Sequence, residues 1–221
     1  MKLFFQAILK FSLGVVLVGA LIFLPAGTFS FFGGWLLMGI LFVPMFLAGI
    51  IMLFKSPTLL KSRLDAKEKQ KEQSTVLKLS ALMFILGFVM AGLDFRFSIF
   101  TLPKSVSIIA SVVFLGFYIM YAFVLKQNEY LSRTIKVEEN QKVITTGLYG
   151  IVRHPMYTAT LGLFLSMPLV LGSLFSFLIF LSYPFIIVKR LKSEEEFLEK
   201  ELNGYKEYKQ KVKYRLIPFI W

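Results

Sequence analysis

The residues best suited to chemistry lie in one stretch, residues 145–164, with the sequence TTGLYGIVRHPMYTATLGLF. It contains the only histidine of the chain, His154, with Arg153 before it and Pro155 after it. Pro155 disfavours a helical backbone at His154 and suits the first turn of a helix that begins there. The first turn of a helix has free N–H groups and the positive end of the helix dipole. The stretch therefore predicts a helix start that can bind an anion such as a carboxylate.

A second group of charged residues, KRLKSEEEF at 189–197, follows the last apolar segment directly. Arg190 and Glu194 are four residues apart, so on a helix they share a face and can pair. An exposed ion pair, worth less than about 1 kcal/mol, is the simplest interpretation. A carboxylate can also hold an ammonium group, and an arginine can bind a carboxylate with two parallel hydrogen bonds. With the helix start at Pro155, this segment predicts a site for a zwitterion beside a membrane.

The elements that must position these groups are membrane helices. The chain has 221 residues, 57% of them hydrophobic. Four apolar blocks, each near the roughly 20 residues that a spanning helix needs, occupy 11–25, 35–54, 77–93 and 106–125. A charge-free stretch at 157–188 is too long for one helix, and Pro and Gly at 168–173 divide it into a hairpin with a short first helix. We therefore expect an all-α, polytopic bundle of about six spans.

The basic residues predict the orientation of this bundle. All of the 25 lysines and arginines except Arg96 and Lys104 fall in segments that six spans would place on one side. The positive-inside rule makes that side, with both termini, cytoplasmic. The net charge of +12 is then explained by topology and contact with anionic lipid, and a nucleic-acid partner is not expected. The N-terminus resembles a signal peptide, but a retained first helix is favoured because several spans follow.

Composition excludes several kinds of chemistry. The chain has no cysteine, which excludes disulfides, thiolate catalysis and cysteine-bound zinc. A single histidine excludes a multi-histidine metal site. No phosphate-binding loop, dinucleotide-binding glycine motif or nucleophile elbow occurs. We therefore expect a site without a metal.

The C-terminal tail has an apolar stripe at helical spacing, made of Leu198, Leu202, Tyr205, Tyr208 and Val212. Lysines surround the stripe, so an amphipathic helix on the membrane surface is the prediction for 199–213, with an interruption at Gly204.

The chain is expected to divide into a four-span membrane region at 1–125 and a catalytic region at 126–221, which comprises a cytoplasmic loop, the hairpin and the tail.

The pattern TTGLYGIVRHPMY, a charge-free hairpin, RLKSEEEFL and GYKEYKQKVKYRLIP resembles the isoprenylcysteine carboxyl methyltransferase family, in particular its bacterial and archaeal members, and is also similar to phospholipid N-methyltransferases. The resemblance covers residues 128–218 and is looser at 55–63 and 91–97. It implies an integral membrane enzyme that uses S-adenosylmethionine without a Rossmann fold and methylates a lipophilic acceptor. A prenylcysteine-type carboxylate is the acceptor that the family name implies.

The resemblance also implies roles for individual residues. Arg190, Glu194 and His154 would be catalytic, and Arg190 and Arg153 would face the acceptor. One position departs from the pattern, because relatives often have proline where this chain has Leu148. The cofactor contacts implied by the resemblance are Gln141, Lys142, Val143, Ile144, Tyr149, His154, Pro155, Met156, Tyr157 and Glu194, with Glu195 in support and Thr134 as a further contact.

Alternative functions remain open at this stage. The acceptor could be a phospholipid or other amine, or a thiol, and an amine would require Glu195 or His154 as a base. Sterol reductases, which bind NADPH, share a related C-terminal region. A small transporter or membrane scaffold is the non-enzymatic alternative, although Asp94 and Arg96 are the only charged residues near a span that could serve it. The expected location is a bacterial inner membrane.

Overall fold

The computed structural model describes residues 2–64, 71–128, 130–131, 137 and 140–221. Within these residues the regular elements are helices and one 3₁₀ turn. The helices are α1 (Lys2–Ala26), α2 (Phe32–Lys55), α3 (Pro57–Leu64), α4 (Lys71–Phe97), α5 (Lys104–Gln127), α6 (Pro155–Val170), α7 (Leu174–Phe180), α8 (Tyr183–Glu201) and α9 (Tyr205–Lys211), and the 3₁₀ turn is Gly147–Gly150.

Five segments of this helical chain are long and apolar enough to cross a membrane: Leu3–Ala26, Phe32–Lys55, Ser74–Phe97, Lys104–Gln127 and Leu174–Glu201. The apolar helix α6 adds a shorter segment of 16 residues, about 24 Å at 1.5 Å per residue. The predicted all-α membrane bundle is therefore confirmed, and a count of about six spans includes α6.

The outer surface of the bundle is apolar, as lipid contact requires. Large side chains on α1 and α5 are well exposed, among them Phe5 at 65%, Val16 at 68% and Val112 at 68%. A soluble monomer rarely exposes contiguous apolar patches of this extent. The chain is thus a multi-pass integral membrane protein.

The core lies where α1, α4, α5, α6 and the α7–α8 segment meet. Ile22, Phe114 and Phe180 are fully buried there. Among the described helices, α5 and α6 have the most extensive contact. This packing fixes α6, and with it the residues at the start of α6, against the rest of the bundle.

The hairpin predicted for 157–188 is present, with its turn at Leu171–Ser173 between α6 and α7. The fully buried Asp94, at the end of α4, holds this turn because its carboxylate accepts a hydrogen bond from the Ser173 hydroxyl at 2.6 Å. The same carboxylate accepts the Phe100 N–H at 2.6 Å. Asp94 thus joins two turns at the end of the bundle that bears Arg96 and Lys104, as expected for a residue at a span boundary.

The second leg of the hairpin consists of two helices, because the chain turns at Leu181–Ser182 between α7 and α8. Pro184 follows in the first turn of α8, where its missing N–H is not needed. Helix α8 continues to Glu201 and carries Arg190, Glu194 and Glu195 towards the end of the bundle opposite Asp94.

The tail differs from the predicted amphipathic surface helix in one respect. The chain breaks after α8, where Gly204 has a φ of +85°, and α9 follows. Leu202, Tyr205 and Tyr208 are buried, and Val143 packs against them from an earlier loop. The apolar stripe therefore contacts protein and does not lie on the membrane surface as predicted, because the loop before α6 supplies an apolar partner for it.

Candidate functional site

A cleft with about 840 Å³ of empty space, open solvent at its mouth included, lies at the end of the bundle where α5, α6, α8 and α9 meet. Among the described residues, eighteen line it: Asn128, Tyr130, Leu131, Gln141, Lys142, Val143, Ile144, Tyr149, Arg153, His154, Met156, Tyr157, Arg190, Glu194, Leu198, Leu202, Tyr205 and Tyr208.

The 3₁₀ turn before α6 is held against the end of α5. The Gln127 side-chain oxygen accepts the Leu148 N–H at 3.1 Å. A proline at position 148, as in the relatives that the sequence resembles, would lack this N–H. In relatives, a proline ring at this position would stiffen the loop. In this chain the hydrogen bond from the Leu148 N–H to Gln127 holds the loop in place, which explains how a leucine can replace the proline.

Tyr149 connects this turn to both walls of the cleft. Its hydroxyl accepts a hydrogen bond from the Asn128 amide at 3.0 Å, and its carbonyl accepts the Tyr208 hydroxyl at 2.7 Å. Burial raises the pKa of the Tyr149 phenol well above its usual value, and burial also raises the pKa values of Tyr205 and Tyr208. All three phenols are therefore neutral near pH 7, and they act as hydrogen-bonding groups and not as bases.

The start of α6 is clamped by the C-terminal tail. The N–H groups of Arg153 and His154 donate to the carbonyls of Tyr214 and Arg215, each at 2.9 Å. The Thr158 hydroxyl, one turn later, donates to the Leu216 carbonyl at 2.7 Å. Pro155 is fully buried directly behind this clamp. The helix start predicted at Pro155 is present, and the tail determines how it faces the cleft.

Glu195 is surrounded by cationic groups behind the cleft. Its carboxylate accepts hydrogen bonds from Arg153 Nε at 2.6 Å and from Arg215 Nε at 3.0 Å. His154 Nε2 lies 3.2 Å from the same carboxylate. The carboxylate is 4% exposed and does not line the cleft, so it orients Arg153 and His154 from behind.

Arg153 has a largely structural set of partners. Besides Glu195, its Nη1 donates to the carbonyls of Val212 and Lys213 at 2.8 and 2.9 Å. The guanidinium therefore links α6, α8 and the segment after α9. Arg153 also lines the cleft, and its predicted contact with an acceptor remains a prediction.

Glu194, Tyr157 and Arg190 form the charged wall of the cleft. The Tyr157 hydroxyl donates to the Glu194 carboxylate, and Arg190 Nε donates to the same hydroxyl at 3.0 Å. The His154 ring stacks on the Tyr157 ring, with centroids 5.6 Å apart. The Arg190–Glu194 spacing that the sequence indicated thus leads to a pair joined through a tyrosine of the neighbouring helix.

The structure brings most of the predicted site residues together. Eleven of them line the cleft, namely Gln141, Lys142, Val143, Ile144, Tyr149, Arg153, His154, Met156, Tyr157, Arg190 and Glu194. Pro155 and Glu195 lie behind its wall, and Thr134 is outside the described residues. Their roles towards a cofactor or an acceptor remain predictions.

Sequence reasoning missed the apolar and aromatic wall of the cleft. Asn128, Tyr130 and Leu131 follow α5 and carry no distinctive pattern. The other missed residues, Leu198, Leu202, Tyr205 and Tyr208, belong to the stripe that the sequence analysis noted but assigned to lipid contact. Their helical spacing was a usable signal, since an apolar face can cover a ligand as well as a membrane.

Comparison with known proteins gives two findings. Residues 104–204 match the family model described as phospholipid methyltransferase. Over 91 residues the chain is 31% identical to the Delta(14)-sterol reductase TM7SF2 of Mus musculus, an alignment that covers 40% of this chain and 22% of that protein. The chain thus spans about a fifth of the length of this reductase.

The matched segment begins with α5 and ends between α8 and α9, so it contains nearly all of the lining of the cleft. It supports a function of the membrane methyltransferase type, and the resemblance noted from the sequence is confirmed at the level of the family. Residues 104–204 of this membrane protein are therefore similar to the phospholipid methyltransferase family.

Proposed function

We propose that the chain is an S-adenosylmethionine-dependent methyltransferase that methylates a lipophilic acceptor, with a prenylcysteine-type carboxylate or a similar lipid carboxylate as the first candidate. The observation that carries this proposal is the cleft itself. Apolar side chains and the Glu194–Arg190 pair line one cavity, at the end of apolar helices, and most of this lining lies within the segment that matches the family. We place the protein in the bacterial cell membrane, with both termini and the cleft cytoplasmic.

The residues of the cleft fit this cofactor chemically. Leu198, Leu202 and Val143 offer an apolar surface for an adenine ring. The Tyr205 hydroxyl is buried and has no hydrogen-bond partner among the described residues, although burying such a group without a partner is costly. A polar atom of a bound nucleoside would supply that partner. Of the described lining residues, Glu194 is the one with a carboxylate, and it suits the ammonium group of a methionine moiety.

The chemistry requires positioning more than acid–base catalysis. S-adenosylmethionine would supply an activated sulfonium methyl group. The acceptor carboxylate oxygen would form a bond to the methyl carbon, and S-adenosylhomocysteine would leave with the electron pair of the broken carbon–sulfur bond. No proton leaves a carboxylate acceptor, so the proposal needs no general base. The roles of the chain are to hold the two reactants in line and to exclude water from the cleft. Glu194 and His154 orient the donor, and Arg190 orients the acceptor.

An amine acceptor is the second candidate, because the matched family is described as phospholipid methyltransferase. An amine must lose a proton before or during transfer. Glu195 is poorly suited to accept that proton, since Arg153, Arg215 and His154 already occupy its carboxylate. His154 lines the cleft and is the better candidate for the base in that case.

The test is transfer of labelled methyl groups from S-adenosylmethionine into a lipid extract by detergent-purified protein. We expect label in a lipid fraction, and we expect Arg190→Ala to reduce the transfer at least tenfold. Lys189→Ala, which removes an exposed charge from the neighbouring position, is the matched control and should retain activity. Alkaline hydrolysis separates the candidates, because it cleaves a methyl ester to release labelled methanol and leaves the methyl group of a methylated amine in place. Absence of transfer to any fraction by a folded protein would contradict the proposal.

A further inference from the structure

Helix α3, outside the family-matched segment, brings Arg63 to the outer side of the cleft wall. Arg63 Nη1 lies 4.0 Å from the sulfur of Met156, which lines the cleft. Its Nη2 donates to the Tyr121 hydroxyl, and its guanidinium carbon lies 5.6 Å from the centre of the Tyr121 ring. Arg63 thus contacts two residues of the family-matched segment from a helix that the sequence analysis did not connect with the site.

Within the described part of the chain, the partners of Arg63 do not neutralise its charge. Among the described residues, no carboxylate lies within ion-pair distance of its guanidinium, and the recorded partners are a thioether, a phenol hydroxyl and an aromatic ring. The side chain is half-buried, so it has lost part of its hydration. A guanidinium in this setting is suited to an anion, which it can bind with two parallel hydrogen bonds.

Arg63 and Arg190 contact adjacent residues at the start of α6 from different helices. Arg63 Nη1 lies 4.0 Å from the Met156 sulfur, and Arg190 Nε donates to the Tyr157 hydroxyl at 3.0 Å. Met156 and Tyr157 both line the cleft, so the two guanidinium groups lie near the same end of α6.

An open cavity with apolar walls adjoins α3. Ile51 and Met52 of α2 and Ala122 and Leu125 of α5 line it, and Tyr130 lines both this cavity and the cleft. Two further cations, Lys55 and Lys126, lie at the ends of these helices and also line the cavity. The lining thus combines apolar side chains with Lys55 and Lys126, and it includes Ser62, the residue before Arg63. This combination, at the ends of two spans, has the polarity of a site for an anionic amphiphile.

We propose that Arg63, together with Arg190, binds the anionic group of the methyl acceptor, and that the apolar tail of the acceptor occupies the cavity between α2, α3 and α5. This inference rests on the proposed function and narrows its substrate class to amphiphiles with a carboxylate or a phosphate. Arg63 is then a residue that determines acceptor specificity, supplied by the N-terminal half of the chain.

The first experiment measures anion binding without methyl transfer. Thermal unfolding of the full chain in dodecyl maltoside is followed with dodecanoate or dodecyl phosphate added at low mole fraction. We expect at least one of them to raise the melting temperature of the wild type, and the larger shift identifies the preferred anion. Arg63→Gln should lose that shift, and Arg63→Lys should retain part of it. Lys61→Gln, which removes an exposed charge from the same helix, should behave as the wild type.

The second experiment measures transfer of labelled methyl groups into lipid extract at varied extract concentration. We expect Arg63→Gln to raise the extract concentration that gives half-maximal methyl transfer at least tenfold, because the variant loses a charge-assisted hydrogen bond to the acceptor. Its affinity for S-adenosylhomocysteine should stay within twofold of the wild-type value. Lys61→Gln should change neither quantity.

Two sets of results separate this inference from the function on which it rests. Equal shifts in Arg63→Gln and wild type, with methyl transfer intact in both, would overturn the role of Arg63 and leave the methyltransferase in place. Anion binding that requires Arg63, in a protein that binds no S-adenosylhomocysteine, would support the anion site and reject the proposed cofactor.

Discussion

Two adjacent glutamates of α8 have different surroundings and, we infer, different tasks. Glu194 lines the cleft and accepts a hydrogen bond from Tyr157, where it can face a ligand. Glu195 does not line the cleft, and it binds Arg153, His154 and Arg215. Because both follow Lys192–Ser193 in a run of three glutamates, the sequence alone does not indicate which one is buried.

Glu195→Gln tests the buried cluster. The change leaves Arg153, which is 6% exposed, without its charged partner, and an uncompensated buried charge costs about 3 kcal/mol or more. We expect the apparent melting temperature in detergent to fall by roughly 5–10 °C. Glu196→Gln, at an exposed position on the same helix, is the control and should leave the melting temperature unchanged. Equal melting temperatures for Glu195→Gln and wild type would show that the cluster does not stabilise the fold.

Tyr205→Phe tests the buried hydroxyl that lacks a partner. Its removal should leave the stability of the ligand-free protein unchanged or slightly higher, since the phenol oxygen has no hydrogen bond to lose among the described residues. We expect calorimetry to show about 5–10-fold weaker binding of S-adenosylhomocysteine. Tyr208→Phe, which removes the bond to the Tyr149 carbonyl, should lower stability instead. Unchanged affinity in Tyr205→Phe would exclude a contact between this hydroxyl and the cofactor.

At the scale of the elements, the contact between α5 and α6 holds the site in place. Helix α6 begins at Pro155 beside the cleft, and a close approach of the two helices at Gly162 allows Phe117 to lie against the α6 backbone. A Cβ atom at position 162 would lie 2.3 Å from the Phe117 ring, closer than packing permits. Displacing α6 would therefore also displace His154 and Tyr157.

Gly162→Ala should destabilise the protein by about 1–3 kcal/mol, because it forces the two helices apart. We expect a lower melting temperature and weaker binding of S-adenosylhomocysteine. Gly116→Ala on α5 is the control, since a Cβ atom there meets no atom within 4 Å. A Gly162→Ala protein that melts and binds like Gly116→Ala would show that the interface can absorb the change.

The helices could be predicted from the sequence more completely than the site. A membrane-spanning helix can be predicted from the length of an apolar run, which is a local property of the sequence. All the predicted apolar blocks lie in helices of the structure. The contacts of Glu195 join residues 42 and 20 positions apart, and no local pattern encodes them. The stripe of Tyr205 and Tyr208 was visible, but its partner Val143 depends on the path of the chain before α6.

At the scale of the whole molecule, the distribution of charge predicts the orientation in the membrane. All 25 lysines and arginines except Arg96 and Lys104 belong to segments expected on the cleft side. Because the chain has no cysteine, single cysteines can report each side. We expect Ser30→Cys to react with an impermeant maleimide in intact cells, and Lys200→Cys to react only after permeabilisation. The reverse pattern would place the cleft outside the cell and remove its access to cytoplasmic S-adenosylmethionine.

Calorimetric titration of S-adenosylhomocysteine into the detergent-purified protein is the most direct test of whether the cleft binds the cofactor. We expect saturable binding to one site, weakened tenfold or more by Glu194→Gln and unchanged by the matched exposed variant Glu196→Gln. No binding by a folded wild-type protein, or equal binding by Glu194→Gln, would contradict the assignment of the cleft as the cofactor site.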